Sequence, residues 1–126
     1  MEDYEVMVPF QTLQALGCSV DVVFPGKNIG DKFPTSIHDF EGDQRYSENL
    51  GHNFSLNSNF EDVTKENYDA LVILGGCAPE YLALNEKVLS IVKQFEEKKK
   101  LIASIFHGQH ILAVADVLKV QVSFLM

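Results

Sequence analysis

Residues 101–118, LIASIFHGQHILAVADVL, constrain this chain more than any other stretch. Leu101 to Ile105 are apolar or small with a β-branched bias, and after Gly108 the residues Ile111, Leu112, Ala115 and Leu118 recur at helical spacing. The pattern describes a buried strand that turns sharply into a helix. In an α/β sheet such a junction lies at the carboxyl end of the strand, where helix-start amides point outward and ligands bind. A nucleophile on that turn makes a nucleophile elbow, with the next residue's N–H able to donate to an oxyanion. Here the elbow position is Phe106, which has no nucleophilic atom.

The remaining elements are read in order. Val6, Phe10, Leu13 and Leu16 form one apolar face of a first helix, with Asp3 placed to cap its start, Pro9 expected in its first turns and Gly17 ending it. Ser19 to Pro25 alternates with β-branched enrichment and reads as a strand, and Gly26 to Pro34 reads as a loop. Ile37 to Tyr46 and His52 to Leu56, separated by Ser47 to Gly51, read as a β-ribbon. Ala70 to Leu74 is a continuous apolar run, expected of a parallel strand buried on both faces. Pro79 then opens a long helix with Leu84, Val88, Ile91, Val92 and Phe95 on one side and Glu86, Lys87, Gln94 and Glu97 largely on the other. After Leu118, the residues Val120, Val122, Phe124 and Met126 alternate as in a strand. Strand, helix, strand, helix is an α/β pattern.

Composition narrows the function classes. With 126 residues, 46% hydrophobic and 22% charged, the chain fits one globular domain. A net charge of −8 argues against nucleic acid, whose backbone is bound by clustered Lys and Arg. The basic run Lys98 to Lys100 reads as a solvated helix end favoured by the macrodipole. No leader or membrane-length apolar run is seen, so a soluble, cytoplasmic protein without a membrane partner is expected. Cys18 and Cys77, the only cysteines, read as free thiols with no zinc or redox spacing, Cys18 as a small buried residue.

The elbow resembles the Ala-x-x-Cys-His-Gly turn of the PfpI/ThiJ superfamily, which includes the Parkinson-disease-linked deglycase and the plant glutathione-independent glyoxalases. The likeness extends through Met1 to Gln11, Pro34 to Gly42 and Tyr68 to Leu82 and is nearest to the plant glyoxalase branch. It implies a flavodoxin-like parallel sheet with flanking helices, of the class I glutamine amidotransferase type, containing Val20–Phe24, Ala70–Leu74 and Leu101–Ile105. It further implies that residues 1–126 are a single truncated domain, lacking the family's first strand and C-terminal part. The neighbours of a lost central strand would carry unpaired edges, so a homo-oligomer is expected.

The resemblance also assigns site residues. Glu5 matches a carboxyl that hydrogen-bonds the elbow cysteine and shuttles protons; taken alone it reads as a helix-start acid stabilised by the macrodipole. His107 matches the family's elbow histidine, and Glu80 the acid that orients it, in some relatives from a neighbouring subunit. Gly75 and Gly76 match a backbone turn whose second glycine, with His107, donates N–H groups to an oxyanion; a tight strand-to-helix turn explains the same pair. Cys77 follows where relatives often carry arginine. His38, His52 and His110 read as surface or supporting residues, and no metal or other cofactor is expected. The implied activity converts a small aldehyde, methylglyoxal or glyoxal, to a hydroxy acid through a cysteine hemithioacetal. Phenylalanine at position 106 therefore predicts a degenerate, inactive member. The alternative is a residual glyoxalase-type enzyme.

Overall fold

The computed structural model describes residues 1–39, 47–76 and 78–118; the alternating tail and Cys77 lie outside them. The elements are α1 (Asp3–Ala15), β1 (Lys32–Asp39), β2 (Ser47–Ser55), β3 (Ala70–Ile73), α2 (Ala78–Leu82), α3 (Glu86–Glu97), β4 (Leu101–Ser104) and α4 (Gln109–Val114). Contacts divide the chain into two compact units, Met1–Asp62 and Val63–Met126.

In the first unit α1 begins at Asp3, the residue expected to cap it, and the cap lies one position earlier. Glu2 holds extended backbone and its carboxylate accepts the Glu5 N–H at 2.9 Å, so Glu2, not Asp3, is the N-cap. Pro9 is the seventh residue of the helix, past the first turn, and removes one helical donor without ending it. The end is as expected: Gly17 takes φ 86°, its N–H donates to the Gln14 carbonyl, and the Cys18 N–H reaches back to Leu13. That places Cys18 on the surface, not in the core, because it follows the helix terminus into solvent.

β1 and β2 pair antiparallel, with Ile37 opposite Asn49 and Lys32 opposite Ser55. The ribbon was legible, its limits less so. Lys32 to Pro34 belong to β1 and Ser47 to Gly51 to β2, while the connection falls on residues outside those described. Pro34 sits beside the register shift that ends at Ser36, where a missing N–H is tolerated. Residues 19–25 form no strand. Instead the Asn57 carboxamide accepts the Val22 N–H at 2.6 Å and donates to the Val20 carbonyl at 2.7 Å. A β-branched segment becomes a strand only when a ladder partner answers its backbone, and here a side chain does so. Val6, Phe54, Leu56 and Phe60 are buried in this unit, and the Phe10 ring meets Phe54 edge-on at 5.1 Å.

The second unit is α/β. β3 and β4 run parallel in register from Ala70 opposite Leu101 to Ile73 opposite Ser104. On one face Leu71, Ile73 and Ile102 pack with Val92, Ile111, Leu112 and Ala115 from α3 and the α4 segment. The opposite face carries Ala70, Val72, Leu101 and Ala103, all exposed, Leu101 by 71%. Burial on both faces, expected from the apolar run, is therefore not met among the described residues, where the helices of this unit cover one side of the pair. The expected long helix is two helices. The Asn85 side chain accepts from the Lys87 and Val88 N–H groups, which caps α3 and separates it from α2. The break turns Leu84 out to solvent, while Val92 and Phe95 keep their expected burial. Lys100 is likewise not simply solvated, since its ammonium donates to the Lys65 and Tyr68 carbonyls.

Among the described residues, no helix is long and apolar enough to cross a membrane.

Candidate functional site

The elbow is present. β4 ends at Ser104, the Ile105 N–H donates to the Ile73 carbonyl at 2.9 Å, and Phe106 to Gly108 form a 3-10 turn that opens α4. Phe106 has φ 45°, a left-handed conformation rare for a bulky side chain and typical of strained functional turns. The conformation is what a nucleophile elbow requires. The Phe106 ring itself is 67% exposed.

Gly108 explains why the turn can be so tight. A Cβ built on it would stand 2.8 Å from the Ile73 carbonyl oxygen and 3.2 Å from that of Leu74. Neither backbone atom can swing away. We expect Gly108→Ala to destabilise the protein by about 2 kcal/mol through this overpacking. Urea unfolding measures it, and an unchanged midpoint would contradict the contact.

Gly75 and Gly76 follow β3 after Leu74 and are buried, with Gly76 at φ 78°. Because β3 and β4 are parallel and in register, the glycine turn and the elbow leave the sheet at the same edge. α2 packs against α4 and the elbow turn, and carries Glu80, exposed, in its first turn. The structure thus gathers Gly75, Gly76, Phe106 and His107 at one sheet edge, with Glu80 on the adjoining helix. Glu5 is half-buried in the first turn of α1 and belongs to the other unit. A shallow depression along α3, lined by Glu86, Leu89, Ser90, Lys93, Gln94 and Glu97, contains none of these residues.

One polar cluster was not anticipated from sequence. The Asp3 carboxylate is buried and accepts the Thr35 hydroxyl, the His52 N–H at 3.1 Å and the His52 Nδ1 at 3.1 Å. It ties the start of α1 to both strands of the ribbon. The Thr35 hydrogen bond is the main influence holding the Asp3 carboxyl below its ordinary pKa; burial opposes it, and the His52 contacts add to the lowering. Gly51 stands beside this cluster, where a Cβ would collide with the Thr35 hydroxyl and lie 2.9 Å from Asp3 Oδ1. A glycine next to His52, opposite Thr35-Ser36, was the available sequence signal.

A parallel strand pair with a left-handed turn between strand and helix defines an α/β protein with an elbow at the carboxyl end of its strands. The chain belongs to the DJ-1/PfpI family, whose model matches residues 1–122. It is 67% identical over 119 residues to Protein DJ-1 homolog D of Arabidopsis thaliana, covering 94% of this chain and 31% of that protein. It is 32% identical over 118 residues to Deglycase PfpI of Pyrococcus furiosus, covering 94% of this chain and 61% of that one. A solved structure from Anabaena variabilis, a two-domain protein with DJ-1/ThiJ/PfpI-like and ferritin-like domains, superposes with a TM-score of 0.69 at 25% identity. That match covers 92% of this chain and 29% of the other. The chain spans about a third of the length of the Arabidopsis relative.

Proposed function

We propose that this chain is a deglycase- and glyoxalase-type DJ-1/PfpI member that has lost turnover. Relatives named deglycases support the reaction class, and small dicarbonyl aldehydes such as methylglyoxal are the substrates it implies. The observation that carries the loss is Phe106, held at φ 45° on the elbow. In the resembling enzymes a cysteine thiolate at this position adds to the aldehyde carbon. In those enzymes the carboxyl that Glu5 matches moves the proton, and the N–H groups that Gly76 and His107 match donate to the developing oxyanion. A phenyl ring offers no electron pair for that addition. The remaining residues could hold an aldehyde but not bond to it.

The test is D-lactate formation from methylglyoxal without glutathione, which is expected at background level. Robust turnover would overturn the proposal. Its loss in Cys77→Ser would then support the alternative reading, a residual glyoxalase-type enzyme whose nucleophile has moved to the residue after Gly75-Gly76.

A further inference from the structure

We propose that the outward face of α1 is a docking surface for a second copy of this chain, with the two helices antiparallel. The helix has two uncharged sides. Val6 is buried and the Phe10 ring meets Phe54, so one side belongs to the core of its own unit. On the other side Tyr4, Val8, Gln11 and Ala15 are all exposed, Tyr4 by 62% and Val8 by 54%. Their alternating spacing is the heptad seam along which one helix packs lengthwise on another. A surface helix normally turns charged residues to solvent, and a helix without them is one that is covered on both sides.

Charge and shape both select a second copy. The chain carries a net charge of −8, so two copies approach most readily through a surface free of like charges. No residue from Val6 to Val20 is charged. The acids of this region, Glu2, Asp3 and Glu5, are gathered at the start of the helix. A parallel pair would set them against their own counterparts. An antiparallel pair sets them beside the uncharged end at Ala15 to Cys18 and joins opposite ends of the two helix dipoles. The stripe also complements itself in that direction, since Tyr4 of one copy faces the small Ala15 of the other and Val8 faces Gln11. A two-fold axis repeats each contact. A helix about 20 Å long makes a small interface, so the dimer depends on concentration. This contact is separate from the chemistry at Phe106 and stands whether or not turnover occurs.

Sedimentation equilibrium of the purified chain tests the surface. Exchange between 14.1 kDa and twice that mass is expected. Val8→Glu should weaken association about tenfold or more, because each copy would bury an unpaired carboxylate in the seam. Tyr4→Glu should weaken it similarly. Adding Ala15→Lys to the same chain should then recover association, because positions 4 and 15 face each other only when the helices are antiparallel. An acid in the first turn and a base in the last both favour the helix, and all three positions are exposed, so the variants should keep the wild-type circular dichroism. A monomer at every concentration up to about 1 mM, a dimer indifferent to Val8→Glu, or no recovery on adding Ala15→Lys would overturn the proposal.

Discussion

Asp3→Ala is expected to lower the unfolding free energy by about 2–3 kcal/mol, the range for losing hydrogen bonds to a buried charged acceptor. The carboxylate collects the Thr35 hydroxyl, the His52 N–H and the His52 ring. These donors do not suffer equally from its removal. The Thr35 hydroxyl also lies 2.7 Å from the His52 carbonyl and can turn its single proton there. The His52 N–H, whose acceptor among the described residues is Asp3, loses it. Urea unfolding gives the value, and a loss below about 0.5 kcal/mol, the level of an ordinary surface substitution, would refute a structural role.

The same carboxylate sets an acid limit. Its pKa in the fold lies below the ordinary 3.8, chiefly because Thr35 donates to the charged form. The stabilisation is thus fully present above pH 3.8 and is lost as pH falls through the lower, folded value. Stability measured from pH 5 downward should decline in wild type, and the part due to this group should be missing in Asp3→Asn. Identical acid slopes for the two proteins would show that the cluster does not favour the ionised form.

What could be read from the sequence was local. The elbow and its parallel partner were legible because an apolar run, a glycine and a helical repeat occur within one short stretch, from Leu101 to Leu118. The Gly17 end of α1 and the burial of Val92 and Phe95 follow from similarly close spacing. The misreadings have a common origin in partners distant along the chain or in a single competing cap. Residues 19–25 have strand character, yet Asn57 satisfies their backbone from 35 residues away. Asn85 outcompetes helix continuation between α2 and α3 with one side chain. The Asp3 cluster joins residues 32 and 49 positions apart, a pairing that no pattern in either segment announces. Of the candidate site, the half at the carboxyl edge of β3 and β4 was legible through strand-turn signals. Glu5 was identified by resemblance, since a first-turn glutamate has no distinguishing pattern of its own.

Phe106→Cys is expected to restore a thiol to the elbow but little glyoxalase turnover. Cysteine would inherit the left-handed backbone, whose strain of about 1–3 kcal/mol is paid by any side chain there except glycine. The thiol would be accessible, because the phenyl ring it replaces is largely exposed, and iodoacetamide labelling should detect it. Turnover asks for more than access. The thiolate, the proton-moving carboxyl and the oxyanion donors must stay within a fraction of an ångström of the reactive geometry, and a misplacement of about 1 Å costs on the order of 10²-fold in rate. Here the elbow stands on a strand pair covered by helices on one face and exposed at Ala70, Val72, Leu101 and Ala103 on the other. Among the described residues of this unit, that pair constrains the turn from one side. Lactate formation by Phe106→Cys should therefore remain close to the wild-type background, and adding Cys77→Ser should not change it. Turnover well above background that survives Cys77→Ser would show that the scaffold is already competent and that the phenylalanine is the whole lesion.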